Sequence, residues 1–173
     1  MTKPTDPNAW EFAKYALQRN DDAIRFSETK AALLLTFTGL FLGMLADKIP
    51  LFKDLLQNQS CTIRIIAINS MVAIIMGIIL VATSSLTAIF PRLNVAKETS
   101  YLYFKHLANL SEQETARQFA ELDSNTKLSH ILSQVQATSA IANRKFGLIR
   151  FALLGTILVV LGSILAILAL FIS

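Results

Sequence analysis

The sequence predicts an all-α membrane protein with three transmembrane helices. Two of them continue from long cytoplasmic helices, and a small cytoplasmic helical segment completes the fold. Three observations lead there. Ala31–Ala46, Ile65–Pro91 and Phe151–Ser173 contain no charged residue. The 173-residue chain is 53% hydrophobic and 16% charged, whereas a soluble domain carries roughly 25% charged residues. All 16 Lys and Arg lie outside the three apolar blocks, as expected where a cation in hydrocarbon is costly.

The elements follow in order. A cytoplasmic helix is expected over 7–30, opened by Asp6-Pro7, since Asp caps well and Pro suits the first helical position. Trp10, Ala13, Leu17 and Ile24 recur at three- and four-residue spacing as one apolar stripe, interrupted by Asn20 and Ser27. No Gly or Pro falls between Asn8 and Thr38, so this helix should run without a break into the first span, 31–46. That span is short of the roughly 20 residues a bilayer core needs, and it gains length when Lys30 snorkels to the headgroups.

The connection 47–64 carries Ile49, Phe52, Leu55 and Leu56 at helical spacing, with Lys48, Lys53 and Asp54 between them. It reads as a short amphipathic helix in the outer interface. The second span is 65–90. In the segment 91–146, Lys97–Leu110 is rich in Tyr101, Tyr103, Phe104 and His106 and is expected to pack. Ser111-Glu112-Gln113-Glu114 fits a capping box, and Asp123-Ser124-Asn125 reads as a turn that caps the next helix. From Thr126 the stripe Leu128, Ile131/Leu132, Val135, Ala142, Phe146 leads into the third span, 147–172. The whole chain is read as one membrane domain.

Basic residues near a span stay cytoplasmic. The N-terminal segment holds Lys3, Lys14, Arg19, Arg25 and Lys30. The 91–146 segment and its border hold Arg92, Lys97, Lys105, Arg117, Lys127, Arg144, Lys145 and Arg150, and the short connection holds only Lys48, Lys53 and Arg64. The N-terminus is therefore expected in the cytoplasm and the C-terminus outside. The net charge of +4 is accounted for by attraction to the inner leaflet and needs no nucleic acid partner. The first block lies too far along the chain, with no small-residue cleavage site after it, for a signal peptide. The lone Cys61 offers no internal disulfide and no cysteine cluster for a metal.

Candidate sites are few. Gly39-x-x-x-Gly43 lets two helix backbones touch, either between copies or with another span of the same chain. Asn69 in the second span wants a partner across an interface, whereas Thr83, Ser84, Ser85 and Thr87 are read as back-bonding to their own helix. No ionisable residue lies within the three uncharged blocks, which argues against a proton-coupled transporter. His106 and His130 stand far apart without the ligand spacing of a metal site. No phosphate loop and no nucleophile motif occurs, so no enzyme class and no cofactor is expected. Lys30, Arg92, Lys145 and Arg150 fall at the inner membrane boundary, and Arg25/Lys30 and Arg144-Lys145 sit on the two long helices at similar depth, which singles out Arg25, Lys30, Arg92, Arg144 and Lys145. Each alone is a lipid-phosphate anchor; together they are candidates for holding a small phosphate-bearing ligand.

Three stretches also carry a family resemblance: Arg25-Phe26-Ser27-Glu28-Thr29-Lys30-Ala31 before the first span; Phe90-Pro91-Arg92-Leu93 with Tyr103-Phe104-Lys105-His106-Leu107 and Leu110-Ser111 after the second; and Ile141-Ala142-Asn143-Arg144-Lys145-Phe146 entering the third. In this order relative to the spans they resemble the transmembrane effector family of the Pycsar antiphage systems, from about Trp10 to the third span. Ser27-Glu28 stands where that pattern has Ala-Asp, which keeps the acid.

The resemblance implies an antiphage effector of the bacterial inner membrane. A separate cyclase makes cyclic UMP or cyclic CMP on infection, the effector responds, and the membrane is compromised, ending in growth arrest or cell death. About sixty residues between the second and third spans are too few for a separate nucleotide-binding domain with linkers. Sensing would fall to the helical segment itself or to an interface in a homo-oligomer. Two readings from other classes stand beside this one: a constitutive membrane subunit that docks a protein partner through Tyr101–Leu110, and an ungated small channel.

Overall fold

The computed structural model describes residues 7–57, 60–90 and 111–172. Asp6, Arg92, the Lys97–Leu110 stretch and the chain's last residue, Ser173, lie outside them. Among the described residues all regular structure is helical: α1 (Pro7–Ala46), α2 (Ile49–Gln57), α3 (Cys61–Ile89), α4 (Glu112–Glu121) and α5 (Ser124–Ile172). Three of these, α1, α3 and α5, are long and apolar enough to cross a membrane. The expected long rods are present as unbroken helices of 40 residues in α1 and 49 in α5. In lipid a helix satisfies every backbone polar group within itself, so such segments need no sheet partner.

The described residues divide into two compact units. The first is built from 7–26 and 111–144, the second from 27–57, 60–90 and 145–172.

In the first unit the apolar stripes meet as the periodicity requires. Ala13 on α1 and Ile131 and Ala142 on α5 are buried. Lys14 Nζ lies 5.2 Å from the Trp10 ring centroid, a cation–π distance. Ser111 caps α4 through the reciprocal box with Glu114, and Asp123 Oδ1 accepts from Thr126 N at 3.2 Å to start α5. Both caps answer backbone N–H groups that a helix leaves without partners at its first turn. An Arg117–Glu121 pair at 2.8 Å stands on the exposed face of α4.

In the second unit α3 and α5 pack antiparallel. Ala67 clusters with Ala169, a Cβ on Gly77 would meet Gly155 O at 2.6 Å, and Ala88 clusters with Ile149. The buried residues of α3 are Ile63, Ala67, Ser70, Ile74, Gly77, Val81, Ser84, Ser85 and Ala88. Most recur at alternating four- and three-residue steps, the spacing of a helix seam. Six of the nine are Gly, Ala or Ser; lipid tails give no hydrophobic drive between helices, and the close backbone approach that small residues allow supplies the attraction. On α2, Leu55 is buried with Ile63, Ala67 and Ala169, which seats the connection on the ends of α3 and α5. Cys61, which opens α3, is a free, exposed thiol.

Candidate functional site

The end of the second unit that holds Ser27, Phe90 and Lys145 gathers residues from all three long helices. Ala31 of α1, Ala88 of α3 and Ile149 of α5 form a buried cluster with Leu148 against it. One turn before Ala31, Ser27 is completely buried. Beside it Glu28 Oε1 accepts a hydrogen bond from Lys145 Nζ. The lysine side chain retains 7% of its exposure and the glutamate 41%.

The sequence explains why these groups meet. Ser27, Glu28 and Ala31 sit at i, i+1 and i+4 of an uninterrupted helix, so they share one side of α1. Lys145 and Ile149 repeat the same four-residue step on α5. Small Ser27, Ala31 and Ala88 allow the helices to approach, and the approach covers the Lys145 ammonium. A buried ammonium without a partner is strongly unfavourable, and Glu28 supplies the carboxylate.

The expected ligand-binding residues are distributed as follows. Arg25 and Arg144 are exposed in the first unit. Lys30 is exposed and Lys145 buried in the second. Lys30 lies two residues after Glu28, on the far side of the helix from the Lys145 contact. Arg92 is outside the described residues. Of the motif residues, Thr29 and Asn143 are exposed. The arrangement joins the first and third motif stretches through a charge pair and places Lys145 within the protein.

The expected packing residues stand elsewhere. A Cβ on Gly39 or Gly43 would meet nothing within 4 Å, so these two glycines face open space on α1. Asn69 is exposed and donates to Ile65 O of its own helix at 3.0 Å. The close glycine contacts are Gly77 with Gly155, and Gly162 with Ser70 O and Ile74. Thr83 and Thr87 bond back to Ile79 O and Thr83 O, as hydroxyls in a span are expected to do. Ser85 Oγ is the buried side-chain polar atom without a hydrogen bond among the described residues.

In the sequence Asn20 is a polar break in the apolar stripe. In the first unit it is the link between α1 and α5: its Nδ2 donates toward Val135 O at 3.1 Å, Thr138 Oγ1 at 3.1 Å and Ser139 Oγ at 2.7 Å. The signal was available as an amide set within an otherwise apolar face. Away from the spans, hydrogen bonds from Ser111 hold the Glu114 carboxyl below its ordinary value of 4.5. Hydrogen bonding from Thr126 likewise lowers Asp123 from 3.8.

Compared with known families, the chain matches the model of the Pycsar effector protein domain over residues 12–173. No curated protein and no solved structure matches it.

Proposed function

The chain belongs to the Pycsar effector family, and from that premise we propose that it senses a cyclic pyrimidine mononucleotide and permeabilises the bacterial inner membrane. As a Pycsar effector with three membrane-length helices, it is an antiphage defence effector that acts at the membrane. The finer reading gives it a nucleotide, cyclic UMP or cyclic CMP from a separate cyclase, a homo-oligomeric assembly, and an outcome of growth arrest or death. The N-terminus is cytoplasmic and the C-terminus external, by the distribution of Lys and Arg.

The observation that carries the mechanism is the Glu28–Lys145 pair. It ties α1 to α5 where the charged part of each helix gives way to its apolar part. A nucleotide phosphate is a second anion that competes with Glu28 for Lys145, and Arg25, Lys30, Arg92 and Arg144 remain the other candidate cations for it. Binding that favours an arrangement in which Lys145 leaves Glu28 shifts the population toward it. Each of α1 and α5 continues unbroken into a span, so a change in their pairing reaches the membrane.

Leakage from liposomes holding the purified protein tests this. Dye and ion release triggered by one cyclic pyrimidine nucleotide, and by no cyclic oligonucleotide, is the expected result. Silence with every nucleotide would replace it with the partner-docked subunit. Leakage without any nucleotide would replace it with the ungated channel.

A further inference from the structure

Within the second unit, α1 leaves α3 and α5 open to one side. An apolar groove of about 600 Å³ runs between them, lined on α1 by Leu34, Phe37, Phe41 and Met44, and opposite by Val159 and Ile167. At the α2 end it is continuous with a second hollow of about 290 Å³, because Phe41, Met44, Ser163 and Ile167 line both. The charged residue lining this second hollow is Lys48, in the turn before α2. On the other side of α2 a third hollow of about 290 Å³ repeats the pattern, apolar throughout but for Lys53.

We propose that the groove is a binding site for one phospholipid, with an acyl chain between α1 and α5 and the phosphate on Lys48. Length supports it. From Leu34 to its end at Ala46, α1 rises about 18 Å at 1.5 Å per residue, with Lys48 in the turn just beyond, and half of a bilayer with its headgroups is about 20–22 Å. Charge supports it as well: the cation stands at one end, where a headgroup would lie, and the remaining lining is uncharged.

A helix from a second copy fits less well. Close helix pairing uses small residues, and Gly39 and Gly43 do not line the groove. Its α1 wall is Leu, Phe and Met, side chains that accommodate a flexible chain, with Thr38, whose hydroxyl bonds back to Leu34 O at 2.7 Å. Ser163 turns its hydroxyl to Val159 O at 2.8 Å, so it offers the groove little polarity. This site goes beyond the functional reading above and does not depend on it.

The test is native mass spectrometry of the full chain in detergent, with dioleoyl phosphatidylglycerol added and dioleoylglycerol as the phosphate-free control. One phosphatidylglycerol per protomer is expected. Ser163→Phe, which fills the shared part of the groove, should abolish the adduct. Lys48→Gln should weaken it about fivefold, the worth of one lysine near an anionic surface, without changing dioleoylglycerol binding. Lys48 is exposed, so this variant reports even where Ser163→Phe fails to fold. Phosphatidylglycerol retention unchanged in both variants overturns the site, as does a lipid-free protomer that pairs with a second copy through Phe37→Cys cross-links. Equal retention of the two lipids overturns the role of Lys48.

Discussion

Lys145 and Glu28 are unequal partners: the lysine side chain keeps 7% of its exposure and the glutamate 41%. Their hydrogen bond joins residues that lie 117 positions apart in sequence. The inequality decides what each substitution costs. Removing Lys145 leaves a carboxylate that water still reaches, and exposed charges are cheap to leave alone. Removing Glu28 leaves an ammonium that water barely reaches.

Glu28→Gln should therefore destabilise more than Lys145→Met. Breaking a fully buried pair costs about 3–5 kcal/mol; with Glu28 partly solvated, about 1–3 kcal/mol is expected for Glu28→Gln and less than about 1 kcal/mol for Lys145→Met. Thermal unfolding in detergent measures both, and the double variant should be more stable than additivity predicts. In the proposed mechanism Lys145→Met also raises leakage without nucleotide. Equal, small effects of both single variants would show that the pair does not hold α1 to α5.

The glycines divide into two groups with opposite expectations. A Cβ on Gly155 would lie 2.7 Å from Gly77 O and one on Gly162 2.9 Å from Ser70 O, so the helices must part. Gly155→Ala is expected to cost about 1–3 kcal/mol, as overpacking does. Gly39→Ala and Gly43→Ala meet nothing within 4 Å and remove a weak helix former, so within one protomer they should stabilise by up to about 1 kcal/mol. Unfolding midpoints separate the groups. Oligomer mass for the Gly39 and Gly43 variants is the further readout: a fall would assign these residues to contacts between copies, and no change would leave the stripe without that role.

The helices were legible because their signal is local. The capping box at Ser111 and Glu114, the stripe from Trp10 to Ile24, and the unbroken runs into the first and third spans all depend on residues within a few turns of each other. What was not legible depends on distance along the chain. Gly39-x-x-x-Gly43 announces itself within one helix, whereas Gly77 meets Gly155 across two helices, and no spacing in either reports the other. Lys145 looks from sequence like every other cation at a membrane border. Only the approach of Ser27, Ala31 and Ala88 determines that it is covered and that Glu28 answers it. Asn20 and Ser27 read as polar breaks for the same reason: a polar side chain on an apolar face says that a partner is needed and not which one it is.

Asn20 gives a prediction from that point. Its amide nitrogen reaches the Val135 carbonyl and two hydroxyls on α5 at a partly buried position. Asn20→Leu keeps the size, completes the apolar stripe and loses these bonds. A net hydrogen bond is worth about 0.5–1.5 kcal/mol, and one amide group cannot satisfy three acceptors fully at once, so a loss of about 1–2 kcal/mol is expected. Hydrogen exchange should show the change in the amides of α1 and α5 within the first unit. Unaltered protection there would mean that apolar packing alone holds the pair.

The helix caps set a pH dependence outside the membrane. Glu114 is held below 4.5 by Ser111 and Asp123 below 3.8 by Thr126. For a carboxyl whose folded value is depressed, the native state favours the ionised form, so the unfolded state takes up protons first as pH falls. The stabilisation is complete above the ordinary carboxyl values and is lost as pH drops through the lower folded ones. The first turns of α4 and α5 should thus fray as pH falls below the ordinary carboxyl values toward the lower folded ones, while the spans, which carry no carboxylate, keep their helicity. Ser111→Ala removes the hydroxyl that Glu114 both receives from and caps with. It should shift the Glu114 titration upward, as read by carboxyl NMR, and expose the first amides of α4 at neutral pH. An unchanged Glu114 titration in that variant would show that the capping box does not set the acid response of this segment.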